Sequence, residues 1–425
     1  MNRKKTVVIH IDALRREFLS VWLLGEYFKK KGYNVLLTSR HSSERILKFL
    51  TPDIFISSHV FLLTPIQWKS LTSKGTKVYI NEAEGTNHLH GVSTTYPETY
   101  NNQEINYSLF SGIFVWGDFS YNFLIKNRRI SPEKVYLNGS TRQSILTRPK
   151  RKIDNVVVGI ISRFEIINPF DNRHSFVNLM NLDPEHPDWK WYYERCAVDS
   201  EAFSIASKLI SKLIKLGYYV SMRAHPNEST DSYKLLKKKF GKFFEIDKSL
   251  SINEWLNNVS VVVGTTSTAF TEPYLAKIPI ISTSKIQNFH YSGDYQFHDN
   301  FDLPAYHPKT VDEMFELCTN PELVAKSSKE LDEFLNSFYS LDNKIDPIVK
   351  IVDVVSNENE NKSTKINYTI AKLFLFSLDA LFIIKNLIIN FKEIQIKTNY
   401  NYVRFLHKPT SFMKNILKKE IFKNE

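Results

Sequence analysis

A chain of 425 residues, 42% of them hydrophobic, is long enough for two full cores and an appendage. Its two cysteines, Cys196 and Cys318, exclude a disulfide framework and a cysteine zinc cluster and fit a reducing compartment. Of the net charge of +11, the segment from Lys362 onward carries +8, eleven Lys and one Arg against four acids; this speaks against nucleic acid, whose enzymes spread basic charge over the folded domain, and for a membrane surface.

From the N-terminus, Arg3-Lys4-Lys5 precedes an apolar run that Asp12 stops, with no small-residue cleavage site behind it. A first strand is expected there, not a signal peptide. Residues 6–11, 33–37, 54–57, 77–80, 113–116 and 134–137 read as buried strands, alternating with amphipathic stretches such as 17–31. This rhythm predicts a parallel α/β sheet. Gly32, after three lysines, marks a helix end. The stretch 140–155, with Arg148-Pro149-Lys150-Arg151-Lys152, reads as an exposed linker.

A second α/β series follows: strands at 156–161, 218–222, 259–263 and 279–282, helices at 199–216, 252–257 and 271–277. Ser251 and Glu254 stand at capping-box spacing before the second helix. The expected domains are 1–150 and 151–355, facing a cleft, with a polar linker and basic helical tail over 356–425. In that tail the apolar stretch between Lys372 and Lys385 is twelve residues long and contains Asp379, too short to span a bilayer. It suits an interfacial helix, or one that packs back on the first domain; the two are compatible.

Candidate residues fall at predicted strand ends, where open α/β sheets bind ligands. Asp12 and Arg16 in the first loop are candidate donor or acceptor contacts, although helix-start acidity also accounts for Asp12. Glu82-Ala83-Glu84-Gly85 places two carboxylates where glycine allows close approach, fit to take a proton from a hydroxyl; a solvated acidic turn is the plain alternative. His88 and His90 lack a second pair at ligand spacing and no Asp-x-Asp occurs, so neither a metal nor a cofactor is expected.

Arg163, Arg173 and the run Trp189-Lys190-Trp191-Tyr192-Tyr193 are expected on a long loop, where Trp191 and the arginines either stack on a base or sugar or pack the loop itself. Arg223-Ala224-His225-Pro226 ends a strand; a guanidinium fork and an imidazole suit a phosphate, and Pro226 fixes the turn. Gly264-Thr265-Thr266-Ser267-Thr268 joins a strand to a helix, so its hydroxyls and the helix start favour an anion, with Glu272 a further candidate contact. No Gly-x-x-x-x-Gly-Lys occurs, which excludes a nucleotide-triphosphatase loop.

Together, His10-x-Asp12, Arg16-Glu17, Glu84-Gly85, Trp116-Gly117, Gly139-Ser140-Thr141-Arg142, Ile161-Ser162-Arg163-Phe164, Trp189-Lys190-Trp191-Tyr192, Arg223-x-His225-Pro226 and the 264–268 loop resemble the bacterial surface carbohydrate biosynthesis proteins, which are GT-B glycosyltransferase-like. More distantly, the chain is similar to bacterial sialyltransferases and capsule Kdo transferases. The resemblance implies two Rossmann-like domains, a CMP-activated keto sugar as donor and transfer without a metal. It implies Glu84 as the catalytic acid, His225 on the phosphate, and Thr266 or Ser267 in support. Sialyltransferases carry two adjacent acids before the glycine, whereas Ala83 stands here and the other acid, Glu82, is displaced. Whether Glu84 is base or nucleophile therefore stays open.

The implied partners are a nucleotide-sugar donor, a glycan or lipid-linked acceptor and the anionic inner face of a bacterial membrane, which places the protein in the cytoplasm. The alternatives are a transferase of CDP-glycerol-type polyol phosphates and a non-catalytic glycan-binding subunit.

Overall fold

The structure, a computed structural model, describes residues 4–83, 105–145, 155–169, 187–290, 302–324, 329–341, 345–357, 368–390, 402–404 and 406–421. The chain divides into two compact units. Met1–Val92, Glu98–Ile145 and Glu333–Glu425 form one, and Leu146–Asp332 makes up nearly all of the other.

In the first unit, strands β1 (Thr6–Ile11), β2 (Asn34–Ser39), β3 (Ile54–Ser57), β4 (Lys77–Asn81), β5 (Gly112–Val115) and β6 (Val135–Leu137) form one parallel sheet in the order β2-β1-β3-β4-β5-β6. β1, β3 and β5 are buried at every position, as parallel strands covered on both faces must be. Helix α1 (Leu14–Lys30) returns the chain from β1 and stops as expected: Gly32 takes φ +88°, and Tyr33 N donates to Phe28 O. Because β2 lies on one side of β1 and β3 on the other, the winding reverses between β1 and β3, and the loops that follow these two strands diverge there.

The second unit repeats the design with β7 (Val157–Ile161), β8 (Tyr219–Arg223), β9 (Phe244–Ile246), β10 (Val261–Gly264) and β11 (Ile280–Ser282), all parallel, in the order β11-β10-β7-β8-β9. Its reversal lies between β7 and β10. Val158, Ile160, Val220, Met222, Val261 and Val263 pack against Leu209 and Leu213 of the helix Pro187–Lys215. Ser251 caps the helix Ile252–Leu256 by accepting from Asn253 N, one residue earlier than the capping-box spacing implied.

Two expectations change. The run at residues 189–193 is not a loop: it opens the helix Pro187–Lys215, with Tyr192 turned inward and Tyr193 outward. The chain beyond Asp332 does not stay with the second unit through residue 355 but returns to the first. There the helix Pro347–Ser356, capped by Asp346, buries Ile348, Ile351, Val352 and Val355 and packs on α1.

The helix Tyr368–Asn390 sets Ala371, Leu375 and Leu378 into the first unit's core, beside Leu36, Ile46 and Phe55. Asp379 of this helix pairs with Arg404 at 2.6 Å. Its other side exposes Ile370, Leu373, Phe376, Leu381 and Ile384. The tail thus packs on the first unit and still presents an apolar stripe. No helix among the described residues is long and apolar enough to cross a membrane.

Candidate active site

The loops after β10, β7 and β8 leave the same edge of the second sheet side by side, across its reversal. His225 follows β8, and its Nδ1 lies 2.8 Å from Glu165 Oε2 in the loop after β7. The His225 backbone N–H donates to Ser162 Oγ at 3.1 Å. Arg195, from the helix Pro187–Lys215, holds the other Glu165 oxygen at 2.7 Å.

About a third of the His225 side chain is exposed, at 34%. Burial pulls its imidazole toward the neutral form, but the Glu165 carboxylate outweighs this and raises its pKa. Burial likewise opposes ionisation of Glu165, yet His225, Arg195 and Arg163 hold it well below the usual carboxylate range.

Arg163 bridges the reversal. Its Nη1 donates to Thr266 O at 2.6 Å, which ties the loop after β7 to the loop after β10. Within that second loop the Thr265 hydroxyl donates to Gln287 Oε1 at 3.0 Å and Ser267 Oγ accepts from Ala269 N at 3.2 Å. Loop structure therefore engages two of the four hydroxyls, which leaves Thr266 and Thr268 as the better candidates for a ligand. The helix expected behind the loop is a 3₁₀ turn (Thr268–Phe270) and then five residues (Thr271–Leu275), which bury Glu272. So short a helix adds little dipole.

Glu228 braces the site from beneath. Fully buried, it accepts from Ser162 Oγ at 2.6 Å, from Tyr233 OH at 2.5 Å and from Phe164 N, so it joins the loops after β7 and β8. Burial pushes its carboxyl up to about 7 against those donors. Pro226 lies in the turn that Glu228 N closes on His225 O at 3.0 Å.

Arg223 points elsewhere. Its buried guanidinium pairs with Asp247 beyond β9 and donates to Ser249 Oγ at 3.0 Å. A buried guanidinium needs a carboxylate, and Asp247 supplies it from inside the fold. The convergence of Arg223 with His225 that the tetrapeptide implied does not form.

In the first unit a second group gathers at the β1/β3 reversal. Asp12 Oδ2 pairs with Arg16 at 2.5 Å, while its Oδ1 lies 3.3 Å from His59 Nε2. Ser58 N donates to His10 Nδ1 at 3.4 Å, and the His10 and His59 rings meet edge to face, 5.5 Å apart. Glu17 accepts from Asp12 N, from Ala13 N at 3.1 Å and from Ser58 Oγ at 3.3 Å. Burial lifts Glu17 to about 7 and, with His59, presses His10 down to about 3. Burial works against the Asp12 anion, but His59 and Arg16 hold its carboxyl well below the usual range.

Of the residues anticipated from sequence, Asp12 and Arg16 therefore meet each other, and Arg163, His225 and the 264–268 loop share one sheet edge. Glu82 is buried after β4, where its carbonyl accepts from Trp116 Nε1 at 2.7 Å. Glu84 and Arg173 lie outside the described residues, as does the side chain of Trp191. His59, Glu165 and Glu228 were not anticipated. The available signal was an acid within three residues of a chosen base, Glu165 after Arg163 and Glu228 after His225, a pattern that ordinary loops share.

No protein-family model and no curated protein sequence matches the chain. Among solved structures, it is similar to the wall teichoic acid polymerase TagF at 14% identity, over 83% of this chain and 88% of that one, with a TM-score of 0.52. It is also similar to two UDP-GlcNAc 2-epimerases. One is from Methanocaldococcus jannaschii in complex with UDP-GlcNAc and UDP, at 12% identity, over 84% and 100% of the two chains, with a TM-score of 0.49. The other is from Neisseria meningitidis bound to UDP-GlcNAc, at 13%, 84% and 100%, with a TM-score of 0.48. The likeness to sialyltransferases and Kdo transferases rests on its motifs alone. At such identity the polymerase likeness establishes the fold, two open parallel α/β units of the GT-B type.

Proposed function

We propose that the protein is a glycosyltransferase of bacterial cell-surface glycan synthesis that uses a nucleotide-activated sugar, in the finer reading a CMP-activated keto sugar. The observation that carries this reading is His225, held by Glu165 at the edge of an open sheet beside Arg163 and the 264–268 loop. With Nδ1 turned to Glu165 and the Asn227 N–H, His225 Nε2 is the nitrogen left for a phosphate oxygen. As the sugar departs, the phosphate gains negative charge, which His225, Arg163 and the hydroxyl of Thr266 or Thr268 offset. A single phosphate met this way needs no bridging cation. Glu84 is the carboxylate assigned to the acceptor proton or to attack on the anomeric carbon. Arg16, Arg173 and Trp191 are assigned to substrate contacts.

The test is nucleotide release from CMP-, CDP- and UDP-activated sugars and from CDP-polyols. CMP released from a keto-sugar donor in the presence of a glycan acceptor supports the reading. Saccharide binding with no nucleotide released from any donor replaces it with a glycan-binding subunit. The fold likeness to a wall teichoic acid polymerase favours one second reading, polyol-phosphate transfer, for which release would be confined to CDP-polyols.

The reading places the enzyme on the anionic inner face of the membrane, through the exposed stripe and the +8 charge from Lys362 onward. Each basic residue near such a surface contributes about 1 kcal/mol, less at high salt. Leu373→Asp with Leu381→Asp should therefore abolish co-sedimentation with anionic vesicles while leaving the melting temperature unchanged. Truncation at Lys362 should instead lower the melting temperature, because Leu375 and Leu378 leave the core. Undiminished vesicle binding by the double variant would remove the stripe from the proposal.

A further inference from the structure

The group at the β1/β3 reversal takes no part in the phosphate chemistry above. One ring nitrogen each from His10 and His59 and one Asp12 carboxylate oxygen lie within 4.8 Å of one another. Both imidazoles are buried, and with His10 Nδ1 taken by Ser58 N, His10 Nε2 has no hydrogen-bond partner. Buried polar atoms without partners cost free energy that a bound ligand would offset. The 3.3 Å between His59 Nε2 and Asp12 Oδ1 is also the spacing of two ligands around a tetrahedral ion with bonds of about 2.0–2.1 Å.

We propose that His10, Asp12 and His59 form a site for a divalent first-row transition ion such as zinc. Two imidazoles and a carboxylate suit such an ion, whereas calcium and magnesium prefer oxygen ligands throughout. Arg16 holds Asp12 Oδ2 and leaves Oδ1 for the ion. Three protein ligands leave a coordination position for water or a substrate oxygen, the composition of a catalytic rather than a structural zinc site. Asp12 and His59 stand 47 residues apart in the chain, so no ligand spacing reveals them.

The test uses untagged full-length protein, stripped with a chelator and titrated with Co(II), whose visible ligand-field bands report its coordination, with Zn(II) as competitor. One equivalent should bind, and His59→Asn and Asp12→Asn should each weaken it about tenfold or more, since even outer-shell changes cost 10- to 100-fold. His88→Ala with His90→Ala should leave it unchanged. Melting curves identify any variant that fails to fold, and either of the two ligand variants suffices. Absence of stoichiometric binding, binding undiminished in a folded ligand variant, or loss of binding with His88 and His90 would overturn the site. The readout is metal binding, so failure of the glycosyltransferase reading would leave it intact.

Discussion

His225→Ala is expected to lower turnover about 100-fold, the usual consequence of removing one preorganised donor to developing charge. Nucleotide affinity should fall about 10- to 100-fold as well, since a charge-assisted phosphate bond contributes roughly 1.5–3 kcal/mol. The pH dependence separates this from a packing defect. The protonated imidazole is the phosphate binder, so affinity should be lost as pH rises through the His225 pKa, which Glu165 raises. In Glu165→Gln the larger part of that support is gone, only Glu228 is left to oppose burial, and the loss should move to lower pH. Nucleotide titrations at several pH values on folded variants would show it. Wild-type affinity and turnover in His225→Ala would remove this residue from the site.

Glu84→Gln should suppress transfer by about 10²- to 10⁴-fold with donor affinity nearly unchanged, because the amide keeps the side chain's shape but can neither accept a proton nor attack carbon. Glu82→Gln should act differently. Its carboxylate is buried behind β4, so the change should appear in the melting temperature more than in turnover. If Glu82→Gln instead stops transfer without lowering the melting temperature, the acid assignment is displaced by two residues.

The strands were legible because buried parallel strands are short apolar runs. β1 and β3 begin and end where the runs do. β9, with only Phe244, Glu245 and Ile246, is too short to carry a pattern. The helix Pro187–Lys215 was legible only from Asp199, because its clustered aromatics resemble loop packing as much as one face of a helix.

Strand-end placement of His225 and Arg163 could be read from the chain. The turn of Arg223 toward Asp247 could not, since it depends on which strand neighbours β8. The same holds for His59, which reaches His10 only because β3 lies beside β1. Sequence shows which residues arrive at an edge; sheet order decides which of them meet.

The chain's return to its first unit also bears on how the molecule is made. The second unit runs unbroken through Leu146–Asp332, whereas the first needs Leu375 and Leu378, close to the end of the chain, to fill its core. On the ribosome, where domains generally form as their residues emerge, the later unit can close while the earlier one still waits for its last helix. Through that interval the part of the first core that Ala371, Leu375 and Leu378 will fill stays open. A premature stop before Leu375 therefore removes part of the first unit's core, and should destabilise that unit rather than trim an appendage.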